Sequence, residues 1–203
     1  MHDTQHEGPA RPAIDRILLV PRWSGTAASD CYPWLSRELA ARAPGLSLEV
    51  VPLLPAPDRP EIEPCVAACV AALGAAEAAR TVLVGHSVGC QVAMRALARL
   101  PDGVRVSALL GIAGWWTVDR PWETLRPWIE TPFDHGRAAA RCGRALVLLS
   151  DDDPYTSDCA ETARRFEAAL RAEIEIVPGR RHFNAPEEPE VMDALIRLAG
   201  MRR

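Results

Sequence analysis

A serine between two glycines follows a run of apolar, β-forming residues in this chain. The segment Gly85 to Gly89 reads Gly-His-Ser-Val-Gly; it ends the predicted strand Thr81–Gly85 and leads into Val88–Leu100, which has helical periodicity. A serine hydroxyl attacks well only when a neighbouring base takes its proton. A sharp strand-to-helix turn would raise the side chain of Ser87 above a sheet, and glycines leave room for that turn. The pattern predicts either a nucleophile or a simple turn residue.

The same turn would place a hydrogen-bond donor beside the serine. The backbone N–H of Val88 opens the predicted helix, where the helix dipole is positive. Such an N–H can stabilise the oxyanion of a tetrahedral intermediate. We therefore expect Val88 to supply one oxyanion donor if Ser87 is a nucleophile.

An acid and a histidine follow the serine in the order that an acyl-transfer triad requires on a parallel sheet. Three aspartates, Asp151, Asp152 and Asp153, directly follow the fifth predicted strand, and His182 follows the sixth. The remaining histidines are less suitable as the base: His2 and His6 lie in the N-terminal segment, His86 is inside the turn and His135 precedes the acids. We expect His182 to be the base, with the acid open among the three aspartates.

Short β-rich runs alternate with segments of helical periodicity, which indicates parallel strands joined by helices. The predicted strands are Arg16–Val20, Leu48–Pro52, Thr81–Gly85, Val106–Gly111, Ala145–Ser150 and Glu173–Val177. The predicted helices are Cys31–Ala43, Glu61–Ala78, Val88–Leu100, Ser157–Arg171 and Pro189–Gly200. These elements predict an α/β fold with about six parallel strands and helices on both faces. The last strand alternates polar and apolar residues, so we expect it at an exposed edge.

A tryptophan-rich segment from Gly114 to Phe133 interrupts this alternation. It follows the carboxyl end of a strand, the side on which ligands bind in such sheets. We predict that Trp115, Trp116 and Trp122 form a wall of an apolar substrate pocket. The alternative is a small satellite core that packs the connection onto the domain.

Composition narrows the classes of partner and compartment. The net charge of −4 and the pI near 5.8 provide no broad basic face, so neither nucleic acid nor a membrane surface is expected as a partner. Residues 1–13 lack the apolar core of a signal peptide and are predicted to be a flexible tail before a single domain of residues 14–203. We therefore expect the six cysteines to be reduced in a cytoplasmic protein.

Cys65 and Cys69 are spaced by one helical turn, which is compatible with a metal site. No histidine or cysteine pair at ligand spacing stands nearby in the sequence to complete such a site. Free cysteine is among the most buried residue types, so core packing is the preferred interpretation. No metal or organic cofactor is expected.

Several motifs together resemble the small serine hydrolases of the retinoblastoma-binding-protein-nine type, from about Ile17 to the C-terminus. They are Val20-Pro21, Tyr32-Pro33-Trp34-Leu35, Gly85-His86-Ser87-Val88-Gly89, Arg120-Pro121-Trp122, Asp152-Asp153-Pro154 and His182-Phe183-Asn184. The resemblance implies a compact α/β-hydrolase without a large lid domain. It also implies that the acid is the aspartate directly before the proline, Asp153, which would orient His182.

The chain departs from that family at two positions. The family has glycine after the strand-end proline, where the second oxyanion N–H lies, whereas this chain has Arg22 and then Trp23. The second donor is therefore open between Arg22 and Trp23. The family also has glycine before the histidine, whereas this chain has Arg181, whose cation would lower the pKa of His182 if it lay inward.

The sequence thus predicts a carboxylesterase-like serine hydrolase that cleaves a small ester or related acyl bond through an acyl-enzyme. Ser87 is expected as nucleophile, His182 as base and Asp153 as orienter, with a small-molecule acyl substrate. Thioester or peptide hydrolysis by the same residues is an alternative, as is a non-catalytic interaction module on the same fold. The sequence names no protein partner.

Overall fold

The computed structural model describes residues 13–201, so the predicted tail of residues 1–13 lies, apart from Ala13, outside the described residues. The strands are β1 Arg16–Val20, β2 Ser47–Val50, β3 Pro55–Ala56, β4 Arg59–Pro60, β5 Thr81–His86, β6 Ala108–Ile112, β7 Ala145–Leu149 and β8 Glu173–Ile176. The α-helices are α1 Tyr32–Arg42, α2 Ile62–Leu73, α3 Val88–Arg99, α4 Arg126–Glu130, α5 His135–Ala140, α6 Cys159–Leu170 and α7 Pro189–Leu198.

Six of these strands form one parallel sheet in the order β2-β1-β5-β6-β7-β8, and β3 pairs with β4 as a separate hairpin. The predicted six-stranded parallel sheet is confirmed. Strand β8 lies at one edge of it, as its alternating residues predict. Strand β5, which leads to Ser87, lies between β1 and β6 in the interior of the sheet.

Helices cover both faces of the sheet and create two apolar cores. Side chains that alternate along β1 show the division: Leu18 and Val20 pack with helices α2, α3, α5 and α6, whereas Ile17 and Leu19 pack with α1 and α7. The interior strands are therefore apolar on both faces, which explains their continuous apolar runs. Among the described residues, no helix is long and apolar enough to span a membrane.

Several boundaries differ from the sequence prediction for identifiable reasons. Helix α2 ends at Leu73 instead of Ala78, because Gly74 adopts φ +60° and closes the helix. Hairpin β3–β4 and helices α4 and α5 have too few residues to show a period. The tryptophan-rich connection contains only a 3-10 turn, Glu123–Leu125, and the five-residue α4, so the described residues contain no large lid.

The glycines on either side of Ser87 are required by close backbone packing. A Cβ at Gly89 would lie 2.1 Å from the carbonyl oxygen of Val20 and 2.8 Å from that of Pro21. A Cβ at Gly85 would lie 2.6 Å from both Cα and N of Cys90. Helix α3 can therefore begin directly against the end of β1 only because these two positions lack side chains.

We expect Gly89→Ala to destabilise the fold by at least about 3 kcal/mol, because the added methyl meets backbone oxygens that cannot move aside. For a chain of this size the melting temperature should fall by about 6 °C or more. Gly45→Ala is the matched control, since a Cβ there meets nothing within 4 Å. Equal melting temperatures for the two variants in thermal unfolding would contradict this packing argument.

Candidate active site

Ser87 occupies a strained turn between β5 and α3. Its backbone has φ 55° and ψ −116°, and its N–H donates to the Ile112 carbonyl at 2.8 Å. A positive φ is unfavourable for a residue with a Cβ, so the surrounding packing imposes it. The Oγ atom accepts a hydrogen bond from Trp115 Nε1 at 3.2 Å.

His182 lies in the loop between β8 and α7, and its ring is held by a carboxylate. Its Nδ1 is 2.8 Å from Asp153 Oδ2, and both side chains are buried. The other carboxylate oxygen, Oδ1, accepts from Tyr155 N at 2.9 Å. A proton on Nδ1 directed at Asp153 leaves Nε2 of a neutral His182 as a proton acceptor.

Each of the three consecutive aspartates binds a different part of the loop that carries His182. Asp151 accepts from Gly179 N at 2.9 Å, and Asp152 accepts from Arg181 N at 2.6 Å. Bonds from the Ser150 hydroxyl and from Arg181 N–H lower the pKa of Asp152. Only Asp153 contacts the imidazole, while its two neighbours fix the backbone on which the imidazole stands.

The residues on either side of His182 both have left-handed backbone conformations. Arg181 has φ 49° and Phe183 has φ 51°. Phe183 is fully buried in the core beside α7, whereas Arg181 is exposed. Arg181, at the position where the family that this chain resembles has glycine, therefore adopts a conformation that glycine would adopt without steric penalty.

A cleft of about 270 Å³ opens over Ser87 and His182. Trp115 and Trp122 line it, as predicted from the sequence, and Trp23 and Tyr155 also line it. The rings of Trp23 and Trp122 meet edge to face with their centroids 5.2 Å apart. Four aromatic rings therefore form part of the cleft wall.

Trp116 does not line this cleft, which corrects the prediction that all three tryptophans do. Its ring packs instead against Phe166, Phe133 and His135, with centroid separations of 5.0, 6.4 and 5.0 Å. The packing interpretation therefore holds for Trp116, whereas Trp115 and Trp122 border the cleft. Trp115 faces the serine, whereas Trp116 belongs to a satellite core next to helix α6.

The backbone amides of Arg22 and Trp23 differ in their hydrogen bonding. The N–H of Arg22 donates to Tyr32 Oη at 3.2 Å. Within residues 13–201, the N–H of Trp23 makes no hydrogen bond, and Trp23 borders the cleft. Hairpin β3–β4 fixes this loop, since Ser24 N donates to Pro57 O at 2.8 Å and Trp23 Nε1 donates to Asp58 O at 3.0 Å.

The guanidinium of Arg22 is fully engaged although it borders the cleft. It donates to both carboxylate oxygens of Asp30, at 2.7 and 2.9 Å, and to the Trp23 carbonyl at 2.8 Å. The bonds to Asp30 raise the pKa of Arg22. The positive charge of Arg22 is therefore paired with Asp30.

The cysteines that could have suggested a metal are core residues. Cys65 and Cys69 are both fully buried, and burial raises the pKa of Cys69 to about 12. In the described part of the chain, no group of three or more histidine, cysteine or acidic side chains is arranged to hold a metal ion.

A family model described as serine hydrolase matches residues 17–195, a range that includes Ser87, Asp153 and His182. The chain belongs to the serine hydrolase family. No curated protein sequence matches this serine hydrolase.

Solved structures share the α/β-hydrolase fold of this serine hydrolase. The ydeN gene product from B. subtilis has a TM-score of 0.79 at 20% identity, with 92% of this chain and 99% of that chain covered. The type II thioesterase BorB from the borrelidin biosynthetic cluster has a TM-score of 0.62 at 18% identity, with 99% of each chain covered. Est1E from Butyrivibrio proteoclasticus, with ferulic acid bound, has a TM-score of 0.65 at 12% identity, with 91% of this chain and 88% of that chain covered.

We expect Arg181→Gly to stabilise this serine hydrolase by about 1 kcal/mol, because it removes the penalty of a left-handed residue with a Cβ. The melting temperature should rise by about 2–4 °C. The bond from the backbone N–H at residue 181 to Asp152 does not depend on the side chain and should persist. A lower melting temperature would show that the Arg181 side chain makes a net stabilising contribution.

Proposed function

We propose that this serine hydrolase cleaves a small carboxylic ester through an acyl-enzyme, with Ser87 as nucleophile, His182 as base and Asp153 as orienting acid. The observation that carries the proposal is the buried Asp153–His182 hydrogen bond of 2.8 Å beside the cleft that Ser87 also lines. The positive φ of Ser87 on a strand-to-helix turn supports it, because that turn exposes a nucleophile above the sheet.

In the first step, His182 Nε2 takes the Ser87 hydroxyl proton as Oγ attacks the substrate carbonyl carbon. Asp153 holds the proton on Nδ1 and stabilises the imidazolium that forms. Trp115 Nε1–H donates to Ser87 Oγ, so it occupies one lone pair and leaves the hydroxyl proton available for His182. The ring of Trp115 therefore both borders the acyl group and orients the attacking oxygen.

Two backbone amides are proposed to bind the oxyanion that forms on the substrate. Val88 N–H lies at the first turn of α3, where amides have no partner within the helix and the helix dipole is positive. Trp23 N–H is the second donor, because the N–H of Arg22 is already bound to Tyr32. Each donor of this kind is worth about 3 kcal/mol of transition-state stabilisation.

Collapse of the intermediate breaks the ester bond. The leaving alcohol takes the proton from His182, and the acyl group stays on Ser87 Oγ. Water then enters, gives its proton to His182 and attacks the acyl carbon, so that Ser87 regains its hydrogen when the acid leaves. No step of this proposed reaction uses a cofactor.

The cleft favours an uncharged substrate with a short apolar or aromatic acyl group. Its volume of about 270 Å³ is at the lower limit of small-molecule sites, and tryptophan and tyrosine rings form part of its walls. The guanidinium of Arg22 is neutralised by Asp30 and offers no free charge to an anionic acyl chain. A thioester or peptide bond would use the same residues, and relative rates on matched oxygen and sulfur esters distinguish these alternatives.

Within the serine hydrolase family, we place the chain with the retinoblastoma-binding-protein-nine type on its Asp-Asp-Pro and His-Phe-Asn motifs. We also propose that residues 14–203 form a single domain and that the protein acts in the cytoplasm on small acyl substrates. The low charge and reduced cysteines support this assignment.

A fluorophosphonate probe should label the purified protein, and Ser87→Ala should abolish labelling, because the probe forms a covalent bond to the activated serine oxygen. Ser107→Ala is a matched control, since this residue lies at the opposite end of the sheet, where its N–H bonds to Thr81 O. Unlabelled wild-type protein, under conditions that label a known serine hydrolase, would contradict the enzyme assignment and favour an interaction module.

Asp153→Asn should lower kcat/KM for a nitrophenyl ester by about 10³- to 10⁴-fold, because an amide facing Nδ1 favours the wrong imidazole tautomer. Asp151→Asn should change it less than about twofold, since an amide oxygen still accepts from Gly179 N. Comparable losses in the two variants would show that the acid was wrongly chosen.

A further inference from the structure

A continuous set of hydrogen bonds, buried except at its partly buried Arg22 end, connects the Trp23 loop to the His182 loop. It begins at Arg22 N–H, which donates to Tyr32 Oη at 3.2 Å. Tyr32 Oη is 2.8 Å from His86 Nδ1, and His86 Nε2 is 2.8 Å from the His182 carbonyl oxygen. Tyr32 and His86 are both buried, and their side chains make no contact with the acyl-binding cleft.

The chemistry of the groups at the two ends fixes every proton in this set. A carbonyl oxygen only accepts, so His86 Nε2 must carry a hydrogen that it donates to His182. Burial lowers the pKa of His86 to about 3, so the ring is neutral and Nδ1 has a free lone pair. Tyr32 therefore donates its phenol proton to Nδ1, and its oxygen accepts from Arg22 N–H.

The hydrogen bonds connect Arg22, His86 and His182, and the proposed reaction requires fixed relative positions of the groups at or next to these residues. Arg22 directly precedes Trp23, whose N–H is the second oxyanion donor. His182 is the base, and His86 directly precedes Ser87 on the same strand end. By occupying the N–H of Arg22, Tyr32 sets the peptide plane next to the one that presents Trp23 N–H.

We propose that Tyr32 and His86 are positioning residues that hold the oxyanion amide of Trp23 and the backbone of His182 at fixed places relative to Ser87. This inference rests on the proposed function, because it assigns those three groups their roles. Neither side chain touches the substrate or moves a proton during the reaction.

An apolar role in the core does not explain these two side chains. A buried imidazole or phenol without partners loses hydrogen bonds to water, which is unfavourable. Here every polar atom of both side chains has a partner, and the partners belong to two loops that the sheet keeps apart. The arrangement therefore specifies loop positions, which an apolar pair of similar size would not do.

Tyr32→Phe removes one hydroxyl and leaves the ring in place. We expect kcat for a nitrophenyl ester to fall by about 10- to 100-fold with KM nearly unchanged, since a small displacement of catalytic groups costs about that much. Binding of a trifluoromethyl ketone, whose serine adduct carries an oxyanion, should weaken by a similar factor. An unchanged kcat in folded Tyr32→Phe would overturn the proposal.

Thr81→Val is the matched control for loss of a buried hydroxyl. Thr81 Oγ1 donates to the Glu77 carbonyl at 2.9 Å, at the opposite end of β5 from Ser87. We expect Thr81→Val to lose thermal stability to a similar extent as Tyr32→Phe while keeping the kcat of the wild type. An equal loss of kcat in both variants would show that instability alone explains the effect, and would also overturn the proposal.

A second pair of variants tests the His86 end. The variant His86→Gln keeps an N–H for the His182 carbonyl, whereas His86→Met has a side chain of similar size and no donor. We expect His86→Gln to retain at least about tenfold more kcat than His86→Met, and equal activities would contradict the role of this bond.

The wild-type protein provides a test that needs no variant. Nitrogen NMR should show His86 protonated on Nε2 and unprotonated on Nδ1 from pH 8 to pH 5. The opposite tautomer, or a charged ring, would overturn the hydrogen-bond directions. A wild-type protein without hydrolase activity would contradict the proposed function. The His86 tautomer would still test the hydrogen bonds from Tyr32 through His86 to His182.

Discussion

The close approach of helix α3 to the end of strand β1 determines where every other part of the site must lie. The backbone of Gly89 is so near Val20 O and Pro21 O that no side chain fits between them. This contact starts the helix at once after β5 and forces Ser87 to positive φ. It also places the first amides of α3 beside the loop after β1. Ser87 and the two amides proposed to bind the oxyanion are thus brought together by backbone packing.

Backbone strain is concentrated around this contact. Of the seven non-glycine residues with positive φ in residues 13–201, six lie in the loops that form or support the site: Ser24, Asp30, Ser87, Ala113, Arg181 and Phe183. Such conformations cost about 1–3 kcal/mol each and persist only where surrounding contacts impose them. Here the contacts are hydrogen bonds, such as those donated by Arg181 N–H to Asp152 and by Ser87 N–H to the Ile112 carbonyl. Asp151 and Asp152 therefore stabilise the strained loop, while Asp153 contacts the imidazole of His182.

The sheet, the strand-to-helix turn and a chain order of serine, acid and histidine could be predicted from the sequence, because each depends on local periodicity and chain order. The choice of Asp153 among the three aspartates came from the family resemblance alone, and the structure shows that Asp153 is the one that contacts His182. The different environments of Trp115 and Trp116 could not be predicted. The two residues are adjacent and of the same type, and they differ only in the direction of their side chains. Hairpin β3–β4 was missed because two-residue strands show no alternation. The choice between the amides of Arg22 and Trp23 depends on a contact from Tyr32, ten residues away.

The charges near the cleft explain why the proposed oxyanion donors are backbone amides and not charged side chains. Arg22 borders the cleft, but its guanidinium donates to both oxygens of Asp30, so most of its field is cancelled. Asp153 is likewise turned to His182 Nδ1 and to Tyr155 N. With these side-chain charges paired, the proposed donors are the peptide N–H groups of Val88, at the positive end of α3, and of Trp23, in the loop after β1. Their positions are fixed before substrate arrives, so they stabilise developing charge without reorganising.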